Sequence, residues 1–197
     1  LLRNLGSYKF ESVPIMSESE LETHLSHYDL NLELFEIHDV DKDGDIDLFV
    51  GGRVIPGKYP EAPQSCILEN KSGFFEDVTD VVCPKLKNIG MVTSAVWTDT
   101  NNDENLDLVV VGEYMPITIL KGDGRKLTPD STILGLEQSS GLWNSILAED
   151  FDNDGDMDFV VGNLGLNSTL KVTSDHPVNL HYADFDGNGF VDPILSV

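Results

Sequence analysis

Basic residues are scarce in this chain. It carries 12 Lys and Arg against 35 Asp and Glu, a formal net charge of −23. A surface so acidic repels phosphate backbones, and no basic patch interrupts it, so nucleic acid is excluded as a partner. Cysteine is limited to Cys66 and Cys83. An exported protein permits a disulfide between them, but the reading we favour is two small buried thiols. No apolar stretch approaches the ~20 residues needed to span a bilayer, so no transmembrane segment is expected. Catalytic signatures are missing as well. There is no Gly-x-Ser-x-Gly elbow, no phosphate loop and no His-Glu-x-x-His, and the five histidines show no metal-ligand spacing.

What the chain has instead is one acidic pattern four times over. The copies begin at Asp39, Asp99, Asp150 and Asp184. Oxygen side chains fall at positions 1, 3, 5 and 9: Asp39, Asp41, Asp43 and Asp47; Asp99, Asn101, Asp103 and Asp107; Asp150, Asp152, Asp154 and Asp158; Asp184, Asp186, Asn188 and Asp192. Position 6 is Gly in three copies and Glu104 in the second. Two carboxylates roughly 5 Å apart repel by about 3 kcal/mol at an effective dielectric near 20. A hard cation removes that cost. Calcium takes six to eight oxygens in flexible geometry, and Gly at position 6 permits the sharp turn. Up to four calcium ions are therefore expected, with position 7 (Asp45, Asn105, Asp156 and Phe190) adding its backbone carbonyl. They would reduce the net charge to about −15.

The flanks exclude an EF-hand, which needs Glu at position 12 and helices on both sides. Position 12 here is Val50, Val110, Val161 and Leu195. Short runs rich in β-branched and aromatic residues follow each loop. Before each, apolar residues alternate: Phe35 and Ile37, Ala95 and Trp97, Ile146 and Ala148, Leu180 and Tyr182. The unit is strand, loop, strand. Three further hairpins are signalled around Asn4 to Gly6, Asn70 to Gly73 and Gly122 to Gly124. Two hairpins per repeat make a four-stranded sheet, and such a sheet recurring every forty to sixty residues is a β-propeller signature. The expected fold is all-β, a propeller fragment of about three four-stranded blades plus parts of two more.

The run Asp39-Val-Asp41-Lys-Asp43-Gly44-Asp45-Ile-Asp47-Leu48, with its Val-ending strand and Gly51, resembles the FG-GAP/VCBS repeat. That repeat builds the propellers of integrin α-subunits and of many secreted bacterial proteins. The stretches Gly51–Pro60, Gly112–Pro116 and Gly162–Ser168 resemble bacterial VCBS proteins that carry an ASPIC/UnbV domain, relatives of cartilage acidic protein. The resemblance implies a seven-bladed ring, of which this chain reads as a piece. Its expected divisions are 1–13, the end of a preceding blade; 14–30, a connecting insert; 31–80 and 81–135, two blades; 136–175, a short blade; and 176–197, the start of another. Ser17 and Glu20 form a capping box, so the insert is either a short helix or an ordered loop. Asn70 and Asn167 open glycosylation sequons, meaningful only in a eukaryotic secretory pathway.

Propeller geometry puts the acidic loops on one face. On the other it gathers Arg53, Tyr59, Glu113, Tyr114, Trp143, Asn144, Asn163 and Asn167. Aromatics with amides and charges suit a carbohydrate or protein ligand, though Trp143 and Tyr114 equally suit packing between blades. Two function classes stay open. One is a non-catalytic, calcium-stabilised recognition or adhesion scaffold, extracellular, on the cell surface or periplasmic. The other is a propeller enzyme of the polysaccharide lyase or dehydratase type.

Overall fold

The computed structural model describes residues 2–6, 9–12, 31–130, 135–165, 168–169, 172–173 and 175–196. The insert expected at 14–30 and the side chain of Asn167 lie outside the described residues. Strands dominate, as the alternating flanks require. A small hairpin pairs β1 (Leu2–Gly6) with β2 (Lys9–Ser12). The first full sheet is antiparallel, in the order β3 (Asn31–His38), β4 (Asp47–Val54), β5 (Cys66–Lys71) and β6 (Phe74–Asp77). A single helical turn, α1 (Thr79–Val82), and a 3-10 turn at Pro84–Asn88 lead to the second sheet. Its strands are β7 (Met91–Thr98), β8 (Asp107–Met115), β9 (Thr118–Gly122) and β10 (Leu127–Pro129), again paired in sequence order. A third unit pairs β11 (Gly141–Glu149) with β12 (Asp158–Asn163), and a last hairpin pairs β13 (Asn179–Ala183) with β14 (Asp192–Ser196).

Each acidic segment is the turn of a hairpin: β3–β4, β7–β8, β11–β12 and β13–β14. The strand–loop–strand expectation and the all-β expectation both hold. In β4 and β8 every residue from the aspartate onward is buried for six positions. That accounts for the continuous Leu48–Val50 and Leu108–Val111 runs, since strands covered on both faces need no polar alternation.

The core lies between the first two sheets. Phe49 and Ile67 of the first sheet meet Val92, Ala95, Leu108, Val110 and Leu120 of the second, with Cys83 and Leu86 from the helical connection closing one side. The opposite face of the first sheet buries Leu48, Val50, Cys66, Leu68 and Phe75. The two thiols are therefore buried on opposite faces of one sheet, and no disulfide joins them. The second and third units are stitched where β11 adds to β8, with Gly141 opposite Met115 and Leu142 opposite Glu113. A bond from Thr93 Oγ1 to the Trp143 carbonyl (2.8 Å) reinforces that seam.

Candidate metal centres and the opposite face

All four loops fold around one hydrogen-bond scheme. The position-1 carboxylate accepts the N–H groups of positions 5 and 6. In the first loop these are Asp43 N to Asp39 Oδ1 (3.0 Å) and Gly44 N to Asp39 Oδ2 (3.0 Å). The same pair recurs on Asp99, Asp150 and Asp184. Position 3 accepts from the N–H of position 5, and position 5 accepts from that of position 7. The scheme requires positive φ at positions 4 and 6. Lys42, Asn102, Asn153 and Gly187 supply the first, and Gly44, Glu104, Gly155 and Gly189 the second. The requirement at position 4 escaped the sequence reading, although Asn twice and Gly once at that position was a signal for it.

Position 9 does a second job that spacing could not reveal. Its Oδ2 accepts the N–H of position 2 in every loop, from Val40, Thr100, Phe151 and Phe185. In the first two loops its Oδ1 also reaches the third strand. Asn70 N donates to Asp47 (2.8 Å) and Gly122 N to Asp107 (2.8 Å). Those two carboxylates are 2% and 0% exposed. Asp158 is exposed and Asp192 half-buried, and no third strand lies beside them among the described residues.

Carboxylate oxygens crowd as the spacing predicts. Asp39, Asp41 and Asp43 bring theirs within 4.8 Å of one another, as do Asp150, Asp152 and Asp158, and Asp184, Asp186 and Asp192. The second loop forms no such acidic trio, because Asn101 stands at position 3; its amide donates to Asp103 Oδ2 at 3.0 Å. The N–H groups of Asn105 and the Asn101 amide hold the Asp103 carboxyl below its usual range. N–H donation from Gly189, Gly187 and Asn188 does the same for Asp184. Burial pushes Asp47 up, aided by the charges of Asp41 and Asp43 and opposed by the N–H groups of Asn70 and Val40. Among the described residues no Lys or Arg forms an ion pair with these aspartates. Clustered oxygen donors with free lone pairs fit a hard cation such as calcium and do not suit a thiophilic one.

The first three loops lie side by side. Lys42 bonds across to the second loop and Asn102 to the third. The fourth departs from the expectation that all share one face. Val191 N donates to the Gly57 carbonyl (3.0 Å), and the Phe190 ring packs over Gly57. Gly57 lies in the β4–β5 connection, at the end of the first sheet away from Asp39–Asp47. Among the described residues no strand falls between Asn163 and Asn179, so no outer hairpin holds the last one in line with its predecessors.

At that other end, four of the eight expected ligand-face residues converge. The Arg53 guanidinium pairs with Glu113 Oε1 (2.8 Å) across the junction of the first two sheets. The Tyr59 hydroxyl donates to Glu113 Oε2 (3.0 Å) and meets the Tyr114 hydroxyl at 3.4 Å. Burial and these neighbours push the Tyr59 hydroxyl's pKa up. Tyr114 sits at φ +57° near the end of β8 and is exposed. Beside it a cleft of about 560 Å³ runs between Gly141, Leu142, Asn163 and Leu164 on one side and Pro177, Leu180 and Leu195 on the other. Trp143 is half-buried and does not line that cleft; its Nε1 donates to the Ser139 carbonyl (2.9 Å). Asn144 is exposed within β11, and its Nδ2 donates to the Leu142 carbonyl (3.2 Å). No histidine joins any acidic cluster among the described residues.

Antiparallel sheets repeated around one loop design place the chain among propeller-type repeat proteins. The profile of the FG-GAP-like repeat matches residues 39–110 and again 99–161, and the chain belongs to that family. No curated protein matches it. No helix among the described residues is long and apolar enough to cross a membrane.

Proposed function

We propose that this chain is a calcium-stabilised, non-catalytic recognition scaffold that works outside the cytoplasm. The observation that carries the reading is the crowding of three carboxylates within 4.8 Å, in three separate loops, with no Lys or Arg paired to them among the described residues. Calcium would be held by the oxygens of positions 1, 3, 5 and 9 and the position-7 carbonyl. Bound there, it supplies charge neutralisation and ties the two strands of each hairpin. Millimolar calcium outside cells matches the weak affinities of extracellular modules, which is why we place the protein there.

The ligand would meet the opposite end of the sheets. Tyr114, Tyr59 and the Arg53–Glu113 pair form a polar aromatic rim, and the neighbouring cleft is apolar. That combination suits a carbohydrate or an exposed protein segment. The Gly51–Pro60 and Gly112–Pro116 stretches that build the rim are also those that support kinship with ASPIC/UnbV-type VCBS proteins. Isothermal calorimetry with calcium chloride tests the metal, paired with melting curves in calcium and in chelator. Heat of binding and a raised melting temperature are expected; a flat titration at millimolar calcium overturns the reading. Glycan-array binding lost in Tyr114→Ala, with an unchanged melt, would locate the ligand on the rim.

A further inference from the structure

The three adjacent loops are joined by a contact that repeats by position. At both junctions a position-4 side chain reaches position 7 of the next loop. Lys42 Nζ donates to Asn105 Oδ1 (3.2 Å) and to the Glu104 carbonyl (2.7 Å). Asn102 Nδ2 donates to Asp156 Oδ1 (2.8 Å). The chemistry is exchanged between junctions while the geometry is kept. A cation meets neutral acceptors at the first, and a neutral amide meets a carboxylate at the second. The second loop carries Asn101 and Asn105 where the first and third carry aspartates, so it is the least acidic of the three, and it is the loop that receives the ammonium.

Position 7 is thereby held from two sides. Within its own loop its N–H donates to the position-5 side chain, Asn105 to Asp103 and Asp156 to Asp154. From outside it is held by the neighbour. Position 4 projects because its backbone is left-handed, a conformation that the loop imposes with or without a clasp: Asn153 and Gly187 share it. The Asn153 side chain makes no such bond among the described residues, and Gly187 has no side chain to make one.

We infer that these position-4 side chains are clasps between neighbouring sheets, and that they couple the first three loops so that the loops order together. Each clasp joins two independently closed hydrogen-bond networks, so disorder in one loop frees position 7 of the next. The cation arm of the test rests on the calcium reading above; the melting arm does not.

The variants are Lys42→Gly and Asn102→Gly, which remove a clasp and keep the left-handed backbone available. Asn153→Gly makes the same change where no clasp exists and is the control. In chelator, each clasp variant should melt about 2 °C below the control. Asn102→Gly and Asp156→Ala should be non-additive in a double-mutant cycle. In calcium, the wild-type and Asn153→Gly isotherms should be steeper than independent sites allow, and Lys42→Gly or Asn102→Gly should flatten them. Melting of the clasp variants level with Asn153→Gly, together with additive double mutants, overturns the proposal. If no calcium binds, the calcium reading fails and the melting comparison still decides the clasp.

Discussion

The loops at 39–47 and 99–107 share their backbone and internal hydrogen bonds with those at 150–158 and 184–192, yet the two pairs stand in different surroundings. Each loop of the first pair sits in four strands paired in sequence order; of the second pair, β11–β12 meets β8 only at Gly141 and Leu142, and β13–β14 is a two-stranded sheet among the described residues. The contrast separates what the loop does for itself from what the sheet does for it. Positions 1, 3 and 5 look the same in both settings. Position 9 does not: it is sealed under the third strand at Asp47 and Asp107 and lies open at Asp158. The strand faces follow suit. Phe49 and Val109, each two residues beyond position 9, are 0% and 1% exposed, Phe49 in the core against the second sheet; the equivalent Val160 is 57% exposed.

Substituting along that equivalent position gives the largest effect. Phe49→Ala empties the core between the first two sheets and should cost about 4 kcal/mol, and Val109→Ala about 2 kcal/mol. Val160→Ala should stay within about 0.5 kcal/mol. Urea unfolding of the three variants measures this. A loss at Val160 as large as at Val109 would mean that a further sheet covers it in solution, and the contrast would dissolve.

Next comes the staple. Asp107→Ala strands the N–H groups of Thr100 and Gly122, the latter buried, and should cost about 3 kcal/mol in chelator. Asp158→Ala strands only the exposed N–H of Phe151 and should cost about 1 kcal/mol or less. Equal losses in chelator would show that the third strand contributes nothing. Calcium should enlarge both losses and leave the gap in place, since on our proposal each variant then lacks a ligand as well.

The sequence disclosed the loops, their hairpins and the all-β fold because those depend on local spacing: oxygens at fixed offsets and apolar residues at a period of two. It could not disclose the staple, because Asn70 and Gly122 lie 23 and 15 residues from the aspartates they bond, and only sheet pairing brings them close. The Arg53–Glu113 pair spans 60 residues and was grouped by face, not as an ion pair. The fourth loop was misplaced for a related reason. Its own residues repeat the motif faithfully, but its position depends on the segment before it, where no strand is found among the described residues.

Position 6 sharpens the comparison on the backbone itself. Gly44, Gly155 and Gly189 take φ of 97°, 94° and 90°, whereas Glu104 settles at 68°, nearer the small left-handed region an L-residue tolerates. No atom lies within 4 Å of a Cβ built on Gly44, Gly155 or Gly189, so any loss there is torsional. Gly155→Ala should cost about 1 kcal/mol, and Glu104→Gly should gain about 0.5 kcal/mol, the relief of strain being offset by the entropy of a freer unfolded chain. Thermal melts in chelator read both. A neutral Gly155→Ala would show that the loop shifts to the Glu104 conformation at no cost.

The smallest effect concerns a charge found in one sheet only. Three residues before the loop, the first sheet has Glu36 where the second has Val96 and the third unit Leu147. Burial in β3 raises the Glu36 carboxyl above its ordinary value. The native state then keeps this proton to a higher pH than the unfolded chain does. Between the ordinary carboxylate pKa and the raised native one, folding takes up a proton, so the Glu36 contribution to stability falls as pH rises through that window and is constant above it. Glu36→Gln removes the titrating group. It should gain up to about 0.5 kcal/mol at pH 7 and weaken the fall in stability across the acidic window. Melting temperatures of both proteins across that range in chelator give the comparison. A variant whose pH profile runs parallel to wild type would place Glu36 in water, and would mean that the first sheet tolerates this charge at its edge without burying it.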